Sequence, residues 1–293
     1  MTYIDTYGGI KKHEKFSLRS LVRKNALDVL GFVNDLKNGN TLKKARIQFL
    51  YIHHLFKDEE KGLRNLIDFL NKDHLFISYS DAVVRILSNK IDNAYICFSS
   101  DDGLKNNIEL SKILDEYGIK ACFFICPSIT GEKDHNKLKA FCKEKLEFPE
   151  VEFLDWKDVD YILKSGHEIG SHTMTHINLS ETPANIVEDE LQQSYKILQE
   201  YCGNIEHFAY PYGRYFHITE QARKLIFRTG YVSCASAERG CHVLQYALPE
   251  REKLLIRRDH IIANWNLKHI KYFLRQSAVR KNLQQNDFPF SVS

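Results

Sequence analysis

From residue 46 onward, short apolar runs alternate with helical stretches, and this alternation limits the fold more than any other feature. "RIQFLYIHH", "NAYICF", "IKACFFIC", "HEIGSH", "IEHFA", "YVSCAS" and "KLLIRRDHI" read as strands, short and rich in β-branched and aromatic residues. Between them "EEKGLRNLIDFLNKDH", "NNIELSKILDEYG", "WKDVDYILKSG", "TPANIVEDELQQSYKILQEYCG" and "ITEQARKLIFRTG" carry apolar positions at helical spacing, and Pro183 suits a first helical turn. "FISYSDAVVRIL" reads as a short extended piece entering a helix, and "NLKHIKYFLRQSAVRKNL" as a terminal helix. Repeated strand–helix alternation argues for a parallel sheet, and this many repeats for a closed or nearly closed barrel. Residues 1–45 stand apart as a mostly helical N-terminal extension, with "SLRSLVRKNALDVLGFVNDLKNG" as an amphipathic helix. Residues 46–293 read as one domain, interrupted by the insertion "SITGEKDHNKLKAFCKEKLEFPEVEF".

Charge narrows the partners. Lys plus Arg at 41 against Asp plus Glu at 38 leaves only +3, which gives no case for nucleic acid. The basic residues near the N-terminus are interleaved with acids, so they read as a solvated helix face, with membrane-surface contact as the minor alternative. The opening residues carry no apolar core of signal-peptide length, and no later run spans a bilayer. Seven cysteines are an odd number, none in a Cys-x-x-Cys pair. Cys122 and Cys126 fall in an apolar strand. Buried reduced thiols and a reducing cytoplasm are therefore expected.

The chemistry gathers where the apolar strands stop, at the carboxyl rim where parallel α/β folds place their sites. "SSDDG" follows "YICF", "SHTMTH" follows "HEIG", and "YPYG" follows "HFA". Alone, Asp-Asp-Gly is an ordinary turn or cap, His-x-x-x-His a pair of surface residues, and Pro-Tyr-Gly a turn. Together they supply one carboxylate and two imidazoles, a three-ligand set that leaves a position open for water, as a catalytic zinc requires. His172 and His176 would share one face if the chain turns helically after "EIGS". The other aspartate of the pair would then face a water on the ion. Ser171, Thr173 and Thr175 would either orient the ligands or begin that helix.

In this order and spacing, "SSDDG", "SHTMTH" and "FAYPYG" resemble the first three motifs of the polysaccharide deacetylases, carbohydrate esterase family 4. The resemblance extends roughly from Arg46 to His260. It implies a distorted or incomplete (β/α) barrel and a divalent ion, usually zinc, that hydrolyses N-acetyl groups of amino sugars. Carried over by position, it makes Asp102, His172 and His176 the metal ligands and Asp101 the general base. The backbone amide of Tyr212 would bind the developing oxyanion. Without an export signal, the expected substrate is an N-acetylated amino-sugar glycan or a lipid- or nucleotide-linked precursor used in surface polysaccharide assembly. A deformylase or another amidohydrolase is the alternative within the enzyme class, and a glycan-binding protein that keeps the metal is the alternative outside it.

Three departures shape further expectations. Ser100 stands where the family carries an aromatic residue, and Ala209 where it carries the arginine that tethers the base. The late motifs that supply a general acid are indistinct. "LLIRRDHI" offers replacements: Arg258 as the tether of Asp101, and His260, on the same face of a continuing strand, as the acid. His53 and His54, which also end a strand, are next in line.

Overall fold

The computed structural model describes residues 3–13, 25–31, 40–284 and 287–288. Nine strands form one sheet: β1 (Arg46–Ile52), β2 (Leu75–Phe76), β3 (Ala94–Ser100), β4 (Ala121–Ile125), β5 (Glu168–Ser171), β6 (His207–Ala209), β7 (Ser233–Ala235), β8 (Leu255–Ile256) and β9 (Arg258–His260). Every pairing is parallel, and the order is β8-β7-β6-β5-β4-β3-β1-β9, with β2 beside β3. The two edges are neighbours in the chain. Leu255 and Ile256 pair with β7, while Arg258 to His260 pair with β1, so a bend at Arg257 closes the sheet on itself. "KLLIRRDHI" is thus two strands in series, where the sequence reads as one.

Alternation along each strand builds two layers. Ile47, Phe49, Cys97, Cys122 and Phe124 pack inside the barrel, while Leu50, Ile52, Phe98, Phe123 and Ile125 meet the surrounding helices. Gly170 is required by this packing: a Cβ there would lie 2.4 Å from the Phe124 ring and 2.9 Å from the His207 carbonyl. The helix Tyr79–Leu87 seals the end where the strands begin, with the Tyr79 ring 4.9 Å from Phe49 and 5.4 Å from Phe124. The opposite end, where the strands stop, stays open.

The expected helices over 60–70, 107–116, 156–164, 184–202, 220–229 and 267–279 are present. Local chemistry starts them. Asp155 caps Trp156–Lys164 through the amides of Lys157 and Asp158, and Thr219 caps Glu220–Thr229 through Ala222. Pro183 sits one position before the long helix Ala184–Cys202, at its cap. The insertion is less irregular than its sequence suggests, for it holds a helix, His135–Glu144, capped by Asp134. Most of the amphipathic helix expected over 17–39 lies outside the described residues, although residues 25–31 are helical. The helix Tyr7–His13 anchors on the barrel: Tyr7 and Ile10 are buried with Phe56 and Leu104, and Asp58 accepts from the Tyr7 and Gly8 amides. All seven cysteines are free thiols, six of them buried. No helix among the described residues is long and apolar enough to cross a membrane.

Candidate active site

Four strand ends converge at the open rim. Beyond β3 the chain reverses through Asp102 and Gly103, both at positive φ (70° and 68°). Beyond β5, Thr173 and His176 also take positive φ, at 64° and 56°. The segment between the two histidines is not helical, contrary to the expectation from their spacing. This irregular turn achieves what a helix would have done: His172 and His176 each place Nε2 3.4 Å from the same Asp102 Oδ1. Five of the six non-glycine residues at positive φ among the described residues, Asp102, Glu147, Thr173, His176 and Tyr212, belong to this rim. Each costs on the order of 1–3 kcal/mol, and such strain collects where function holds a geometry in place.

Asp102, His172 and His176 are buried, and their ligating atoms lie within 4.8 Å of one another. Their spacing fits a cation. Two ligands each about 2.0–2.2 Å from a tetrahedral zinc stand about 3.3–3.6 Å apart, and the observed separations are 3.4 Å. The His172 tautomer fits as well. Its Nδ1–H donates to the Ala209 carbonyl at 2.7 Å, which leaves Nε2 with a lone pair facing Asp102.

Asp101 points elsewhere. Arg258 grips it through two parallel bonds, NH1 to Oδ1 at 2.7 Å and NH2 to Oδ2 at 2.8 Å. Arg258 is itself fully buried, its Nε donating to the Ser236 carbonyl at 2.8 Å and its guanidinium 4.5 Å from the Tyr51 ring centre. Burial raises the Asp101 carboxyl, yet Arg258 and then His172 overcome it and keep the acid ionised at neutral pH. Arg258 thus occupies the tethering place that Ala209 cannot fill. Arg257 turns away, stacking 5.4 Å from Tyr215 and donating to the Arg239 carbonyl.

A cavity of about 270 Å³ opens over these groups, lined among others by His53, Tyr51, Tyr210 and Tyr212. Tyr212 is at φ 62° with Gly213 at 64°, and its ring lies against His176 with centroids 4.9 Å apart. Gly213 passes so close to Ala237 that a Cβ would stand 2.4 Å from the alanine methyl. His260 does not line the cavity. It stands behind His53, whose Nδ1 is 3.2 Å from His260 Nε2 and whose Nε2 is 4.0 Å from Asp102 Oδ2. The histidine presented to the site is therefore His53, since β9 ends one residue pair short of the rim that β1 reaches. His54 faces the opposite side and binds Glu59 at 2.7 Å.

The three hydroxyls near the histidine pair neither contact the imidazoles nor start a helix. Ser171 meets Ser194 at 2.7 Å, and Thr175 binds Glu190 through both its amide and its hydroxyl, pinning the turn to Ala184–Cys202. Ser100, in the place of the family aromatic, bonds Asn107 at 3.0 Å. The insertion supplies one wall, Lys145, Leu146 and Glu147, which sequence reading missed. Its signal was the spacing of Leu138, Phe141, Cys142 and Leu146, which packs the segment onto the barrel.

Fold and site together define a parallel (β/α) barrel with a three-residue pocket able to hold a cation beside a tethered carboxylate. Residues 88–232 match the family described as polysaccharide deacetylase. A chitooligosaccharide deacetylase of Azorhizobium caulinodans is 30% identical over 133 residues, 44% of this chain and 51% of the relative. The matched segment thus spans about half the length of that curated relative. Among solved structures, the Streptococcus pyogenes deacetylase PplD in complex with acetate superposes with a TM-score of 0.62 at 17% identity, covering 80% of this chain and 99% of the other. A de-N-acetylase from Aggregatibacter actinomycetemcomitans gives 0.56 at 15% identity, covering 78% and 99%. These two likenesses concern the fold. Over residues 88–232 the chain is similar to the polysaccharide deacetylase family.

Proposed function

We propose that this protein is a metal-dependent hydrolase that removes the N-acetyl group from an amino sugar in a glycan or glycan precursor. The observation that carries the reading is the pairing of two carboxylates with opposite duties in one cavity. Asp102 shares a point in space with two imidazole nitrogens, whereas Asp101, one residue away, is held off that point by Arg258. A binding protein that kept the metal only as a structural element would have no use for the second, tethered acid.

Asp102, His172 and His176 would hold the ion, and zinc suits one carboxylate and two imidazoles. When bound, the ion would polarise the amide carbonyl and acidify a water. Asp101 would accept the proton of that water, being ionised and fixed in orientation. The Tyr212 amide, held in a left-handed turn ahead of Gly213, would face the oxygen on which charge develops. His53, doubly protonated, would give its Nε2 proton to the departing amine and be left neutral with its proton on Nδ1, the role expected of His260 on sequence grounds alone. The six buried free thiols support a reducing compartment, and with it an intracellular, lipid- or nucleotide-linked sugar as substrate.

The test is release of acetate from N-acetylated chitooligosaccharides and from nucleotide- and lipid-linked N-acetyl sugars, with and without chelator. Chelator-sensitive release from any of them supports the reading. Faster turnover of N-formyl analogues would replace it with a deformylase, and no turnover by the metal-loaded protein would reject it.

A further inference from the structure

We infer that His260 is a positioning residue that fixes the tautomer and ring orientation of His53, so that one short strand, β9, holds both the acid and the base without supplying either. The inference rests on the functional reading above for the role of His53, but its geometry is independent of it.

Strand β9 is three residues long and its side chains alternate. Arg258 faces the barrel interior and clamps Asp101, which comes from the end of β3. His260, two residues on, shares that side and meets His53, which comes from the end of β1, through the 3.2 Å contact between His260 Nε2 and His53 Nδ1. Asp259 points the other way and anchors the strand. It accepts from Gln48 at 2.7 Å, from Ser277 at 2.8 Å and from the partly exposed Arg239 at 2.9 Å. Arg239 also donates to the His260 carbonyl at 3.1 Å. The strand is therefore fixed from behind while its two forward side chains hold groups on two other strands.

The imidazole pair has a definite sense. His53 must keep Nε2 toward the cavity, because that atom faces Asp102 across 4.0 Å. As the acid, His53 carries a proton on both ring nitrogens, so its Nδ1–H donates to a lone pair on His260 Nε2, which places the His260 proton on Nδ1. Burial, and after it the nearby His53 and Arg239, push His260 well below the usual imidazole range, so it stays neutral and available as an acceptor. The ring has little freedom. It packs 4.9 Å from Tyr51, its direct partner across the β1–β9 ladder, and 5.9 Å from Trp265. A partner of this kind keeps a proton-transferring imidazole in one tautomer, and its loss lowers turnover by on the order of 10- to 100-fold.

The experiment compares His260→Ala, His260→Gln and His260→Phe in the full-length metal-loaded protein, following kcat and KM separately. In parallel, the ring-nitrogen shifts of ¹⁵N-labelled His53 are read in the metal-free protein. The expected result is a 10- to 100-fold fall in kcat for His260→Ala with KM within about twofold, substantial recovery in His260→Gln, which restores an acceptor, and none in His260→Phe, which restores only volume. The metal-free wild type should show His53 protonated on Nδ1, and His260→Ala a mixture of tautomers. Equal kcat in His260→Phe and wild type, or an unchanged His53 tautomer in His260→Ala, overturns the inference. If the tautomer shifts as stated while even the wild type releases no acetate, the proposed reaction fails and the positioning role stands.

Discussion

The barrel carries a histidine–carboxylate cluster at each end, built partly on the same strands, and the two differ in what they leave unsatisfied. At the sealed end, Glu168 opens β5, His207 opens β6 and Ser233 opens β7. Glu168 accepts from the Tyr79 amide at 2.9 Å, from the Ser80 amide and from the Ser80 hydroxyl at 2.7 Å, and it lies 3.2 Å from His207 Nε2, which bonds the same hydroxyl at 2.9 Å. His207 Nδ1 meets the Ser233 hydroxyl at 2.9 Å. Every polar atom of the Glu168, His207 and Ser233 side chains is used, and the carboxylate sits where the helix Tyr79–Leu87 begins and its free amides favour negative charge. At the open end, His176 Nδ1 is buried without a partner, and Asp102 and its imidazoles stand 3.4 Å apart, too far for strong hydrogen bonds. Composition alone would rank the clusters alike. Spare coordinating capacity separates a site that awaits a ligand from one that closes a fold.

The comparison breaks most sharply on metal removal. Chelation should abolish acetate release and readdition of zinc restore it, while far-ultraviolet circular dichroism stays unchanged, because the sealed end and the cores need no ion. Loss of helical signal on chelation would mean that the open cluster is structural as well.

Next in size is Asp101→Asn. With metal content near wild type by mass spectrometry, turnover per folded molecule should fall by about two to four orders of magnitude. Full activity would remove Asp101 from the mechanism.

Arg258→Ala tests the one saturated element of the open end. It strands a buried carboxylate, so urea unfolding should show a loss of about 3–5 kcal/mol in addition to slowed turnover. An unchanged midpoint would show that Asp101 finds water or another donor.

The smallest effect belongs to the sealed end. Glu168→Gln should cost about 1–3 kcal/mol of stability near neutral pH and leave turnover of the folded fraction nearly intact. Burial raises the Glu168 carboxyl, but His207 and Ser80 prevail and its folded-state value is lowered. Its contribution is therefore complete above the unfolded glutamate pKa and vanishes as the pH falls through the folded value. The gap between wild type and variant should close in acid; a gap that persists or widens there would contradict the assignment.

Much of this was legible in the sequence because it depends on short-range pattern. Strand–helix alternation, the abrupt polar ends of β3, β5 and β6, and the order of the three motifs follow from residues near one another in the chain. The Arg258–Asp101 contact was also within reach, since a missing arginine at Ala209 left a charge to be answered and alternation narrowed the choice to one residue. What escaped was set by distances between strands. Whether His53 or His260 fronts the cavity depends on the register of β1 against β9, which pairs Tyr51 with His260 and carries His53 one step further toward the rim. The non-helical turn between His172 and His176 depends on Glu190, which grips Thr175 from a helix fifteen residues away. The insertion's wall depends on packing against Phe56 and Leu104 and on the N-terminal strand-like stretch, where the Ile4 amide bonds the Glu150 carbonyl at 3.1 Å.

The bend at Arg257 bears on how the molecule comes into being. During synthesis the N-terminal part of a chain emerges first. Strands β1 and β3 to β7, with both aspartates and both histidines of the candidate cation site, leave the ribosome before residues 255–260. Until then the sheet is an open ribbon with β1 and β7 as bare edges, and Asp101 has no guanidinium to meet. One segment of six residues then zips both edges and delivers the counter-charge in the same motion. A nascent chain arrested before Arg258 should already hold Asp102, His172 and His176 yet release no acetate, so the proposed activity is withheld until the barrel is shut.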